Sequence, residues 1–364
     1  MKKLIIAVIL TVLTVFSACF EASAVSTSAH SAVLIDGNRG NIVYEKNAHE
    51  RMGMASTTKI MTAIVAIENC PLERSVSVAD AAIGVEGSSI YLKKGESLTM
   101  EQLLYALLLQ SANDAATAIA IEVGGSVDGF AELMNEKADE LGLTDTHFTN
   151  PHGLSDEQHY TTSYDLALIT KYALQNPIFR KIVSTYKTTI PSLDGTRVLV
   201  NHNKLLKLYD GTVGVKTGFT KKTGRCLVSA AEKEGTLLVG VTLNAPDDWN
   251  DHIRMLDHGF DTIKTYHLAE PSSISFRVPV VGGVASYVDV SNVGGLTYTC
   301  QKQNANIDEQ LILDRFLFAP IEQGDIIGQI IYYNNGEEIG RLDLIAQNSV
   351  MQKTVKKKKL FGLF

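Results

Sequence analysis

The stretch ASTTKIMTAIVAIENC, Ala55 to Cys70, sets a serine, two threonines and a lysine directly before an apolar run. Ile60, Met61, Ile64, Ala66 and Ile67 recur at helical spacing until Cys70-Pro71 stops the pattern. Ser56 therefore stands at a helix start, and Lys59, three residues on, falls on the same face one turn away. Ser56 is either a cap or a nucleophile with Lys59 as its base. A lysine amine serves as a base only when neutral, and burial beside another cation lowers its pKa in the required direction.

On the N-terminal side, "HSAVLIDGNRGNIVYEKN" reads as a hairpin of Ala32 to Ile35 and Ile42 to Glu45 leading into this segment. Helices are predicted at Thr99 to Gln110, where Thr99 and Gln102 form a capping box, at "NDAATAIAIEVG", and at "VDGFAELMNEKADELG", ending on Gly142. A further helix, Ser163 to Gln175, has Ser163 as its cap and stops before Pro177. Three strands come next, Thr212 to Thr217, Arg225 to Glu232 and Thr236 to Leu243, and a last helix spans Trp249 to Ile263. Past Pro271 the texture changes to short alternating strands with Gly and Asn turns, a separate small β domain.

Two more motifs carry chemistry. Ser111-Ala112-Asn113 lies in a loop between helical runs, where a turn or an Asn113 cap would suffice to explain it. Lys216-Thr217-Gly218 lies on a predicted strand in which Val213 and Val215 alternate, and Gly218 lets another backbone approach closely. Each motif has a decoy or a bland rival. A chain of this size holds about one or two Ser-x-x-Lys matches by chance. Ser184-Thr185-Tyr186-Lys187 is such a copy, set aside because i and i+3 face opposite ways in a strand. Lys222-Thr223-Gly224 repeats the third motif in a turn, so Lys216 is preferred.

The chain has 364 residues, 45% of them hydrophobic, enough for two cores. Met1-Lys2-Lys3, an apolar run from Leu4 to Phe20 and Ala22-Ser23-Ala24 have the order of a secretory signal, with cleavage expected after Ala24. A retained anchor and a lipoprotein signal ending at Cys19 compete with it. The run is short for a membrane span, and Phe16-Ser17-Ala18 lacks the aliphatic residue that usually precedes a lipidated cysteine. Cys70, Cys226 and Cys300 remain, with no metal-ligand spacing and no disulfide framework. No metal or cofactor is implied. The formal charge of −7 becomes near −13 for the body between the signal and the tail, which argues against nucleic acid as a partner. "KTVKKKKLFGLF" reverses that sign with Lys353 and Lys356 to Lys359, then ends in Leu360, Phe361, Leu363 and Phe364, which suggests an anionic membrane surface.

In order, a Ser/Lys pair at a helix start, a Ser-x-Asn loop about 55 residues on and a late Lys-Thr-Gly strand form the set of penicillin-recognising serine enzymes. With "NPHGL" at Asn150 to Leu154 and "HYTTSYDLA" at His159 to Ala167, the chain resembles the low-molecular-mass penicillin-binding proteins of the D-alanyl-D-alanine carboxypeptidase type, peptidase family S11. The resemblance implies an α+β (α/β) transpeptidase-like domain, antiparallel sheet plus helical subdomain, followed by a small all-β domain. The expected organisation is signal 1–24, catalytic domain 25–270, β domain 271–349 and basic-hydrophobic tail 350–364. It implies an exported enzyme at the outer face of the cytoplasmic membrane, acting on peptidoglycan stem peptides and inhibited by β-lactams.

By the same resemblance Ser56 is the nucleophile, Lys59 its base and Ser111 a proton relay. Asn113 holds substrate and Lys59, while Lys216 and Thr217 bind the terminal carboxylate. The backbone N–H groups of Ser56 and Phe219, beside Gly218, form the oxyanion hole. Many relatives carry an arginine near the start of the last helix, but "APDDWNDHIRM" has none before Arg254, so no arginine is assigned. His152, His159 and His202 are read as turn or hydrogen-bonding residues. Rival readings are a β-lactamase, disfavoured by the lack of a Glu-x-x-Leu-Asn element, a transpeptidase or endopeptidase with the same site, and a non-catalytic wall scaffold.

Overall fold

The computed structural model describes residues 25–354, so the expected signal and most of the tail lie outside the described residues. The hairpin forms as β1 (Ser31–Asp36) and β2 (Ile42–Lys46), antiparallel. All six residues of β1 are buried, because it lies inside a sheet rather than at its edge.

Next come a 3₁₀ turn, Ala55–Thr58, and α1 (Lys59–Asn69). From Lys59 to Ala66 every residue of α1 is buried, which is the environment of a helix at the centre of a domain. A two-stranded ribbon, β3 (Ser75–Ser77) with β4 (Ser97–Thr99), leads to α2 (Met100–Leu109). Thr99 and Gln102 make the reciprocal capping box that the sequence indicated. The helices α3 (Asn113–Gly124), α4 (Val127–Glu140) and α5 (Ser163–Leu174) pack with α1 and α2 in one apolar core.

Two local expectations are corrected. The cap of α5 is Thr162, whose hydroxyl accepts from the Asp165 N–H at 3.0 Å. Ser163 instead donates to the Ala48 carbonyl. The chain also does not leave helix at Pro177, because α6 (Pro177–Ser184) starts there with Asn176 as its cap. Proline is well suited to a first helical turn, whose N–H groups have no intrahelical partner anyway.

A second ribbon, β5 (Lys187–Ser192) with β6 (Gly195–Val200), and the short α7 (Leu205–Leu208) precede the sheet strands β7 (Thr212–Thr220), β8 (Gly224–Lys233) and β9 (Thr236–Leu243). The five-stranded sheet has the order β2-β1-β9-β8-β7, and α8 (Asp248–Thr262) comes after it. The N-terminal hairpin thus pairs with a strand some two hundred residues later, Val33 opposite Val241. β7 is left at the edge, beside the 3₁₀ turn that holds Ser56.

The chain divides into two compact units near residues 261 and 262, with Glu234–Thr236 joining the second. The boundary expected at 270 falls earlier because β10 (Ile263–Ala269) pairs with β13 (Leu296–Gln301) inside the second unit. That unit also contains β11 (Ser275–Val281), β12 (Tyr287–Asn292), β14 (Ile307–Leu313), β15 (Leu317–Phe318), β16 (Ile326–Asn334) and β17 (Glu337–Ala346). They form a six-stranded sheet, β14-β16-β17-β12-β11-β15, closed over a core of Val278, Val288, Val290 and Leu344. No helix among the described residues is long and apolar enough to cross a membrane.

Candidate active site

Ser56 sits in the 3₁₀ turn, one residue after Ala55, whose φ is +48°. A side chain in that backbone region costs energy unless its surroundings hold it. Here Gly153, itself at φ +87°, presses its α-carbon against the Ala55 carbonyl so closely that an added Cβ would collide with it. Ser56 makes no capping bond: the residue before the turn is Met54, and neither Met54 nor Thr58 caps with its side chain. The cap explanation of Ser56 is thereby removed.

Lys59 is fully buried, and its Nζ lies 3.0 Å from Ser56 Oγ, 2.7 Å from Asn113 Oδ1 and 2.6 Å from the His152 carbonyl oxygen. Burial pushes its pKa well below the usual lysine range, and the Lys216 charge pushes the same way, against a smaller pull from Asp114. A neutral amine has two N–H groups and one lone pair. Two of its three neighbours, the Asn113 and His152 oxygens, can only accept. Both N–H groups are therefore taken, and the lone pair is left for the Ser56 hydroxyl proton.

The oxygen of Asn113 faces Lys59 because its amide nitrogen donates to the Glu86 carbonyl at 2.6 Å. Its backbone N–H donates to the Ser88 carbonyl at 2.7 Å. Asn113 is the first residue of α3 rather than its cap. The loop supplying those carbonyls is tied down by Asp114, buried, which accepts from Ser89 Oγ at 2.6 Å, Leu92 N at 3.0 Å and Ile90 N at 3.2 Å. His152 contributes its backbone, and the Asn150 side chain fixes that turn by accepting from the Gly153 N–H at 2.7 Å.

Lys216 is buried on β7 and donates to the Thr217 carbonyl at 2.8 Å, with burial lowering its pKa to about 7. Gly218 brings β7 against the nucleophile turn: a Cβ there would lie 3.1 Å from the Ser56 and Thr57 nitrogens and the Met54 oxygen. Ser111, at φ +59°, lines a cleft of about 240 Å³ together with Ser56, Thr217, Gly218 and Phe219. Phe219 is 64% exposed, so its side chain leaves that wall open. The decoy Lys222 lines a different cavity, with Arg51 and Tyr160, that contains none of the other motif side chains. The other decoy splits between the end of α6 and the start of β5.

The cleft holds one cation that sequence reasoning did not assign. Arg225 lies opposite Phe219 in the β7–β8 register, and its guanidinium bonds the Asp248 carboxylate at 2.7 Å and lies 5.9 Å from the Trp249 ring. The start of the last helix thus supplies the carboxylate that holds an arginine rather than the arginine itself. Arg254 is engaged elsewhere, with Asp251 and the Ser26 carbonyl. The signal was present, because a hairpin turning at residues 221–223 places residue 225 across from 219.

The histidines act as neutral hydrogen-bonding groups. Burial lowers His152 to about 3 and His159 to about 4. His159 accepts from the Thr149 N–H on Nδ1 at 3.0 Å, and its Nε2 bonds Thr58 Oγ1 at 2.8 Å. His202 lines the cleft, also lowered by burial. Among the described residues no group of three or more His, Cys, Asp or Glu is placed to hold a metal.

Residues 18–247 match the family model of D-alanyl-D-alanine carboxypeptidase, peptidase S11, and residues 264–352 match the penicillin-binding protein 5 C-terminal domain. The chain belongs to the D-alanyl-D-alanine carboxypeptidase family. Bacillus subtilis DacF, a D-alanyl-D-alanine carboxypeptidase, is 32% identical over 94% of this chain and 89% of its own length. Penicillin-binding protein 5 from Haemophilus influenzae superposes with a TM-score of 0.68 at 27% identity, covering 90% of this chain and 98% of that one. A Streptomyces K15 DD-transpeptidase matches the first unit alone, at 33% identity and TM-score 0.62 over 65% of this chain and 98% of its own. This carboxypeptidase is a serine-type peptidase of the penicillin-binding group, with the α+β domain and β-rich C-terminal domain that the sequence suggested.

Proposed function

We propose that the enzyme removes the terminal D-alanine from peptidoglycan stem pentapeptides through an acyl-Ser56 intermediate, and that penicillin acylates the same oxygen. The observation that carries the reading is the hydrogen-bond environment of Lys59, which leaves a neutral amine one lone pair and aims it at Ser56 Oγ.

Lys59 takes the Ser56 proton as Oγ bonds the carbonyl carbon of the penultimate D-alanine. The oxyanion lies against the backbone N–H groups of Ser56 and Phe219, whose proximity the bare Gly218 α-carbon supports. As the C–N bond breaks, the proton on Lys59 passes through Ser111 Oγ to the leaving amine, and D-alanine departs. Water then attacks the ester, and Ser56 Oγ recovers a proton. Two lower barriers replace one high barrier. The terminal carboxylate binds Lys216 and Thr217, with Arg225 as a further cation on the same wall.

Slow release of a penicilloyl group fits the cleft. Among the described residues lining it, the one acidic side chain, Asp248, is already held by Arg225, so none of them offers a free carboxylate to activate a deacylating water. Export across the cytoplasmic membrane and attachment to an anionic lipid surface through the lysine-rich tail complete the proposal, supported by the sequences of the two ends.

The test is product analysis on a stem pentapeptide and on a cross-linked dimer. Release of D-alanine from the pentapeptide, abolished by Ser56→Ala, is the expected result. Transfer to an acceptor amine in preference to water would instead assign transpeptidation, the activity named for the Streptomyces relative.

A further inference from the structure

One corner of the second unit presents large apolar side chains to water. β11 and β15 pair in parallel, Val280 opposite Leu317 and Val281 opposite Phe318. The pleat turns Val280 inward and leaves Val281 and Phe318 outside, 48% and 69% exposed. Phe316, 51% exposed, meets Phe318 edge-on with ring centroids 5.6 Å apart. The last described segment runs along the same corner. The Val284 N–H donates to the Met351 carbonyl at 2.9 Å, and the Lys353 N–H to the Gly282 carbonyl at 2.7 Å. Val284 and Met351 are each 67% exposed. Single exposed hydrophobic residues are ordinary, whereas a contiguous group of this kind marks a surface that is covered in use.

The C-terminal sequence selects the occupant. The backbone leaves this corner at Lys353 and continues in sequence into Lys356 to Lys359, then Leu360, Phe361, Leu363 and Phe364. Asp314 and Arg315 beside Phe316 cancel in charge, so the corner takes its positive sign from Lys353 and the lysines after it. A second copy of the chain would bring those lysines against one another. Anionic headgroups would neutralise them while the rings enter the acyl boundary.

We propose that Val281, Val284, Phe316, Phe318 and Met351 form a membrane-inserting face that engages an anionic bilayer together with the basic tail. The inference deepens the tail-anchoring reading and rests on it only for the choice of ligand. A lysine cluster attracts a protein to the surface, and inserted aromatic and aliphatic groups hold it there, so the two elements are separable by substitution.

The experiment is sedimentation of the full mature chain with phosphatidylglycerol/phosphatidylcholine vesicles, and with phosphatidylcholine vesicles alone, at physiological salt. Phe316→Ser/Phe318→Ser lowers partitioning onto the anionic vesicles by about tenfold, because bound apolar area sets the strength of interfacial attachment. Hydrolysis of a soluble pentapeptide is unchanged. Equal partitioning of the double variant and the parent overturns the proposal. If deletion of residues 355–364 abolishes binding while the Phe variant keeps it, the tail reading stands alone. If the Phe variant loses binding and the deletion keeps it, the face stands and the tail reading falls. Should the Phe variant melt early, Val284→Ser/Met351→Ser is the substitute, judged by the same criterion. Concentration-dependent dimers that the Phe changes dissolve, with vesicle binding unaltered, would assign the face to a second copy and also overturn it.

Discussion

Asp114→Asn separates the structural and electrostatic supports of the Ser56–Lys59 pair. In the parent, Oδ2 of Asp114 accepts from Ser89 Oγ and Leu92 N, and Oδ1 from Ile90 N and Ala115 N. Replacing one oxygen by NH₂ turns an acceptor of two bonds into a donor. The Ser89 hydroxyl can rotate and accept, but a buried backbone N–H is left without a partner, which costs about 1–3 kcal/mol, and the remaining bonds lose their charge assistance. We expect a total loss of about 2–4 kcal/mol, with kcat reduced because the freed loop carries the Glu86 and Ser88 carbonyls that orient Asn113. The electrostatic effect runs the other way. Asp114 favours the charged form of Lys59, so its neutralisation lowers the Lys59 pKa further and moves the acid limb of kcat/KM to lower pH. The assay is chemical denaturation together with a pH–rate profile on a soluble pentapeptide. A variant as stable as the parent, with its acid limb unmoved or displaced upward, would refute the reasoning.

The remaining expectations concern the two walls of the cleft. The free enzyme needs Lys59 neutral and Lys216 charged, so kcat/KM should rise with pH through the depressed Lys59 pKa and fall as Lys216 loses its proton at about 7. An alkaline limb of kcat/KM that survives when the substrate ends in an amide would contradict the Lys216 assignment. Arg225→Met should raise KM for the carboxylate-terminated substrate by roughly tenfold, the scale of one charge-assisted bond, while an amide-terminated analogue is unaffected. Equal losses on both substrates would mean that Arg225 acts only by holding Asp248. Gly153→Ala should cost about 2–4 kcal/mol, since it places a Cβ on the Ala55 carbonyl at a φ that alanine avoids, and benzylpenicillin acylation should slow with it. Parent-like stability and acylation would show that the contact does not hold the nucleophile turn.

Much of this site was legible because its side chains carry the chemistry. The three motifs at Ser56, Ser111 and Lys216 lie on the elements that the periodicity indicated, and the 3.6-residue pattern of α1 placed Lys59 one turn from Ser56. What escaped was carried by backbone or by pairing. His152 serves Lys59 through its carbonyl, which leaves no mark in residue type, and only the Asn150 turn orients it. Arg225 was overlooked because its partner Asp248 lies 23 residues away, although its place opposite Phe219 is set by the hairpin. Pro177 was read as a stop although it also suits a first helical turn, and Thr162 and Ser163 are equally good caps by composition, decided by which hydroxyl the Asp165 N–H reaches. The boundary was set too late because β10 continues directly from α8 with no glycine or proline between them.

The most direct test of the central claim is the intact mass of the purified mature protein after incubation with benzylpenicillin, with the adduct mapped by peptide digestion and Ser56→Ala run in parallel. We expect one penicilloyl group per chain, located on Ser56, persisting for long enough to be digested and absent from the variant. A folded parent that acquires no adduct, or one that carries it on another residue, would contradict the assignment of Ser56 and Lys59 as nucleophile and base.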